Sequence, residues 1–154
     1  MERTMRRVDR ALSEEETKTI LTKGEYGILS IASNDGQPYG VPLSYSYAGA
    51  SIYFHCALEG RLIDTVHEND KVSFCVVGKT QVLPGKFSTK YESVIVFGKV
   101  SEVIGDEKHK GLLELARKYS GSFIKEGLQY IKNDGGKTKV YKITIESMTG
   151  KARK

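Results

Sequence analysis

The chain has 154 residues, of which 39% are hydrophobic and 28% charged, and a formal net charge of +5. That length supports one domain with a core needing no disulfide or metal staple, and the composition excludes disordered and disulfide-rich classes. The longest apolar run falls far short of the ~18 residues that a membrane helix needs, and the charged start MERTMRRVDR lacks a signal-peptide core, so the default expectation is a cytoplasmic protein with no membrane partner.

Basic residues crowd both ends: Arg3, Arg6, Arg7 and Arg10 at the start, Lys151, Arg153 and Lys154 at the finish. They read as basic tails over about 1–10 and 149–154 of a single domain spanning 1–154. Such tails can bind nucleic acid, but no aromatic residues interleave with them, so a solvated surface is the expected reading. Ser13 then opens a helix: it suits an N-cap, Glu16 sits at the capping-box position, and Gly24 ends the helix.

Tyr26 to Ala32 reads as a strand, and Asn34-Asp35-Gly36 is a hairpin turn signal. A strand from about Tyr39 to Tyr47 follows, alternating Val41, Leu43, Tyr45 and Tyr47 against Gly40, Pro42, Ser44 and Ser46. Pro42 has no N–H for a ladder and belongs at an edge or bulge, where freed backbone can face a ligand. Ser51 to Cys56 is a third strand. Cys56 and Cys75 both sit in apolar strand-like segments and read as buried thiols, with no Cys/His spacing for a metal site.

Gly60 to Asn69 is a short helix, Lys71 to Val77 a strand, and Gln81 to Lys90 irregular around Pro84-Gly85. A long strand runs from Tyr91 to Ile104, broken or bulged at Gly98. Asp106 to Tyr119 is helical, with Leu112, Leu113, Leu115 and Ala116 on its buried side. Residues 122–133 form another short helix, and Thr138 to Met148 alternates as a last strand. Six or seven strands, mostly in hairpins, predict a mainly β protein: a compact antiparallel barrel with flanking helices.

Dinucleotide, P-loop and nucleophile-elbow motifs are absent. His67 and His109 lie among charged helical residues and read as surface positions. His55 ends an apolar strand just before Gly60-Arg61, which opens a helix. There the free N–H groups, the positive dipole end and a guanidinium converge, as an anion site requires. The plainer readings are a structural strand histidine and an Arg61 paired with Asp64.

Three stretches in order, Asp35-Gly36-x-Pro38-Tyr39-Gly40-Val41-Pro42, Ile52-Tyr53-Phe54-His55-x-Ala57-x-x-Gly60 and Lys90-Tyr91-Glu92-Ser93-Val94-x-Val96-x-Gly98, resemble the FMN-binding split-barrel superfamily of pyridoxamine 5′-phosphate oxidase. The closest branch is that of the nitroimidazole-resistance (Nim) proteins. The resemblance implies a six-stranded antiparallel split β-barrel and a homodimer with FMN at the subunit interface. It implies that Pro42, Leu43 and Ser44 pass along the flavin, that Phe54 and His55 line the same pocket, and that Gly60 and Arg61 hold the phosphate. Glu92 and Ser93 would come from the later strand. Where the family often has a lysine two residues after the glycine, this chain has Leu62, leaving the phosphate charge to Arg61. The activity implied is an FMN-dependent oxidoreductase reducing a small planar electrophile such as a nitroaromatic, with His55 as the catalytic residue that donates a proton or tunes the flavin. Pyridoxamine phosphate is not the expected substrate. The alternative is a non-catalytic flavin- or haem-binding module, a carrier or sensor.

Overall fold

The computed structural model describes residues 3–154, so the first two residues of the basic N-terminal stretch lie outside it. Helix α1 spans Glu14–Lys23 and carries the full capping box: the Glu16 N–H donates to Ser13 Oγ at 3.1 Å and the Ser13 N–H to Glu16 Oε1 at 3.2 Å. Strands β1 (Gly27–Ala32) and β2 (Pro38–Leu43) form the expected hairpin, with Gly36 at φ +86° in its turn.

The strand expected over 39–47 is in fact two. β2 stops at Leu43, and β3 (Ser46–Ala48) begins after Ser44 and Tyr45. Inward alternation holds through Tyr45 but fails at Ser46, where two successive residues are buried. β4 (Ser51–Cys56), α2 (Arg61–Glu68), β5 (Lys71–Leu83), β6 (Ser88–Val103), α3 (Gly105–Ser120), α4 (Ile124–Asp134) and β7 (Lys139–Arg153) complete the chain. The strands make one seven-stranded antiparallel sheet in the order β2-β1-β5-β6-β7-β4-β3. The two halves of the expected strand are therefore the two opposite edges. The sheet curls, Ser44-Tyr45 carries the chain from one edge to the other, and no ladder hydrogen bond joins them. This is a split barrel, mainly β with flanking helices, and its seventh strand comes from that break. Pro42 lies on edge strand β2, as its missing N–H requires.

Residues 81–90 are not irregular: the ladder continues to Leu83 opposite Ser88 around a tight turn at Pro84–Lys86. This arm is exposed on both faces, so no burial pattern marks it in the sequence. At its base Gly78 and Lys79 bulge opposite Glu92, whose Oε1 accepts the freed Lys79 N–H at 2.9 Å. The register also shifts at Gly98, although the extra residue, Glu146, lies on β7. A side chain at Gly98 would strike the Thr144 carbonyl oxygen. β7 runs five residues past the expected Met148 and pairs with Tyr91–Ile95.

The core fills the barrel with Leu29, Tyr45, Ile52, Phe54, Phe74, Val94, Val96, Tyr141 and Ile143, all essentially unexposed. Tyr45 meets Phe74 edge-on at 4.9 Å between centroids, and Phe54 stacks on Tyr141 at 5.8 Å. Cys56 and Cys75 are free, and burial pushes both thiols up. Among the described residues no helix is long and apolar enough to cross a membrane.

Candidate functional site

The seam between the sheet edges is where the sequence-predicted residues gather. The α3 C-terminus closes part of it. Two polar groups of Tyr45 have no strand to pair with, so side chains serve them. The Tyr45 N–H donates to Tyr119 Oη at 3.0 Å, and Lys118 Nζ donates to the Tyr45 carbonyl at 2.9 Å. The Lys118 ammonium also lies 3.7 Å from the centroid of the Tyr45 ring. Partial burial lowers this amine to about 8.

One end of the seam is the start of α2. Gly60 is its N-cap at φ 147°, a backbone that L side chains rarely adopt, and no side chain caps the helix. The first intrahelical bond runs from the Asp64 N–H to the Gly60 carbonyl, so the N–H groups of Arg61, Leu62 and Ile63 have no partner within the helix. Arg61 is exposed, with its guanidinium carbon 5.5 Å from the centroid of Tyr39 on β2. Leu62 packs against the core and brings no charge. The other end is a cavity of about 880 Å³ lined by Ser44, His55 and the facing sides of α3 and α4. From Tyr39 beside Arg61 to Ser44 at the cavity is five residue steps, roughly 17 Å of strand.

The structure thus brings Pro42, Leu43, Ser44, His55, Gly60 and Arg61 along one seam. Pro42 and Ser44 are exposed, whereas the Leu43 side chain packs against the core. Phe54 has 0% exposure and its ring belongs to the core, so only its backbone is near the seam. Glu92 and Ser93 do not join this set. His55 pairs with Val140 and Ser93 with Lys151, at opposite ends of β7, roughly 35 Å apart along the strand.

The cavity also contains residues that sequence reasoning missed. Tyr119 lines it from α3, and Phe123, Glu126, Gly127, Tyr130, Ile131 and Asp134 line it from α4 and the turn before it. Their spacing of three and four is that of one helical face. Phe123 and Tyr130, two aromatics seven residues apart on the face that also carries Ile131, were the available signal. Among the described residues no cluster of three or more His, Cys, Asp or Glu could hold a metal. The residues fit a phosphate-bearing flat ligand: an open helix start with a guanidinium, then an unpaired strand edge, then an imidazole at an apolar cavity.

Comparison with known proteins supports the same architecture. An uncharacterised protein of Rhizobium meliloti, RA0666, is 30% identical over 94 residues, 61% of this chain and 57% of that protein, so the match spans little more than half the relative's length. Among solved structures, a FAD-binding protein from Mesorhizobium loti superposes with a TM-score of 0.68 at 28% identity, covering 94% of this chain and 98% of that one. A candidate 5-nitroimidazole antibiotic resistance protein from Bacteroides thetaiotaomicron gives 0.73 at 22% identity, over 92% and 86%. A FAD and haem binding protein from Mycobacterium smegmatis gives 0.80 at 17% identity, over 92% and 72%. The family profile described as pyridoxamine 5′-phosphate oxidase matches residues 13–152. With nearly its whole length inside that profile and its sheet split at Ser44-Tyr45, the chain belongs to the pyridoxamine 5′-phosphate oxidase family.

Proposed function

We propose that this protein is a flavoprotein, with FMN the expected flavin, that acts as an oxidoreductase on a small planar electrophile such as a nitroaromatic. The observation that carries the reading is the seam, which aligns the open α2 start, the unpaired β2 edge and His55 in one line. Arg61 and the free N–H groups after Gly60 would hold the phosphate. The outward backbone at Pro42 and Ser44 would lie along the ribityl and ring system. The flavin supplies the redox chemistry when bound. His55 would donate a proton at the cavity side, where the apolar faces of α3 and α4 limit water.

The site is proposed to be completed by a second copy. On the outer face of the sheet, Pro42, Ile28, Cys75 and Ile95 form one row across four strands. Val77 and Phe97 flank it at 58% and 57% exposure. An apolar strip of this extent on a β-sheet suits burial against its own copy. Such a homodimer would bring the partner's Glu92 and the partner's Ser93 towards the seam that one chain leaves open. Relatives described as FAD-binding and as FAD- and haem-binding support a flavin and keep haem as the competing ligand.

Purified protein is expected to be yellow, with flavin absorbance and FMN released on denaturation. Colourless protein that takes up no added flavin sinks the reading, and a haem Soret band instead of a flavin spectrum selects the carrier alternative. The variant His55→Ala is expected to keep its flavin but lose about 100-fold in nitroaromatic turnover. Turnover at the parent rate would remove His55 from the chemistry.

A further inference from the structure

The two basic ends of the chain meet in the fold. The Leu12 N–H donates to the Gly150 carbonyl at 3.0 Å, and Ala11 bridges to Lys151. The base of the β5–β6 arm lies against them. Between these parts run two adjoining grooves of about 780 and 390 Å³ that share Leu12, Glu16, Ala152, Arg153 and Lys154. Their cations are Arg7, Arg10, Lys79, Lys90, Arg153 and Lys154, and their acids Asp9, Glu16 and Glu92.

All three acids are already engaged. Asp9 pairs with Arg7 at 2.6 Å. Glu16 pairs with Lys154 at 3.1 Å while closing the α1 capping box. Glu92 accepts the Lys79 backbone N–H. Arg10, Lys79, Lys90 and Arg153 therefore have no acidic partner among the described residues. The bulge at Gly78-Lys79 turns the chain where Lys79 enters the groove, and bulges commonly re-aim side chains in this way. The local potential is felt by Tyr91, whose phenol is lowered by a hydrogen bond from Arg10 and by the charge of Lys151. Unpaired cations on three separate segments, held around a cleft, repel one another until an anion arrives.

We propose that this groove binds the diphosphate or triphosphate group of a small phosphorylated molecule of the nucleotide class. Its volume suits a small ligand rather than a long strand. Tyr91 is the one aromatic side chain it offers, whereas single-stranded nucleic acid is held by successive stacking platforms. Within one chain it is separate from the seam, since its strands meet at the far end of β7 from His55. In the proposed homodimer its Glu92 side would approach the partner's seam, and competition with FMN tells the two sites apart. The proposal does not rest on the flavin reading.

The test is calorimetric titration of the untagged full-length protein with pyrophosphate, ADP and inorganic phosphate, with and without saturating FMN. Saturable binding of pyrophosphate and ADP is expected, tighter than phosphate and weakened by salt. The exposed pair Lys79→Ala/Lys90→Ala, and separately Arg10→Ala/Arg153→Ala, should each weaken ADP by at least about tenfold without changing the melting temperature. Four results overturn the proposal. The first is no saturable binding at millimolar ligand, and the second is unchanged affinity in both double variants. The third is loss of binding when FMN is saturating, which would make the groove the flavin's own phosphate seat. The fourth is tighter binding of single-stranded DNA than of ADP.

Discussion

Lys118 and Tyr119 act on two polar groups of Tyr45 that the split sheet leaves without a strand partner, and Lys118 carries a pH signature. Its amine is lowered by burial to about 8 from 10.5. Between those values the unfolded chain holds a proton that the folded one lacks, so stability from this group rises with pH across the window and is level below it. Comparing melting temperatures of the parent and Lys118→Met from pH 7 to 9.5 checks this. The parent should gain on the variant as pH rises, and a constant gap contradicts the linkage. Tyr141 offers a second test. Its hydroxyl is buried with no hydrogen-bond partner, and burial pushes the phenol up to about 12. Tyr141→Phe keeps the stack on Phe54 and removes an unsatisfied group, so stability should hold or rise by up to about 1 kcal/mol in denaturant unfolding. A clear loss would mean that the hydroxyl has a partner after all.

Helix α4 has no buried residue, and its inward side faces the His55 cavity rather than the core. It is joined by short turns at Gly121–Phe123 and Gly135–Lys137 and packs on α3, where a Cβ added at Gly127 would lie 3.5 Å from the Ala116 Cβ. Few buried contacts imply a low local opening energy. Amide hydrogen exchange in 121–137 should therefore be faster than in α1 or α3, and a ligand seated in the cavity should slow it. Protection equal to that of α3 without ligand would show that α4 is anchored. The contrast between elements explains what could be read from the sequence. β1 announces itself by alternating burial, α1 by its capping box and β4 by a short apolar run that is buried throughout its middle. The arm from Gly78 to Lys90 buries neither face, so Val82 and Phe87, the latter 96% exposed, left no pattern to find. The break at Ser44-Tyr45 was invisible for the opposite reason: the alternation of inward residues continues through Tyr45 although the ladder partner changes.

For the whole molecule, the outer apolar row is the feature that a single chain leaves unexplained. Phe97→Asp or Ile95→Lys should yield a monomer in sedimentation and lower flavin occupancy, while the buried core residues Val94 and Val96 stay untouched. A variant that remains dimeric with full flavin would move the interface elsewhere. Chain order does not say which end of β7 each strand meets, so the separation of Glu92 and Ser93 from His55 within one chain was foreshadowed only by the resemblance, which shares the site between two copies. The edge strand β2 has one further consequence. Its outer side presents main-chain donors and acceptors, and among its residues Pro38 and Pro42 withhold a donor. What lies against that edge meets the same peptide groups whatever side chains stand there. A substitution on that outward side that keeps strand length and inward packing should therefore leave those peptide groups in place. The shape outlasts overall identity: solved structures at 17 to 28% identity still superpose over more than nine-tenths of this chain, with TM-scores of 0.68 to 0.80.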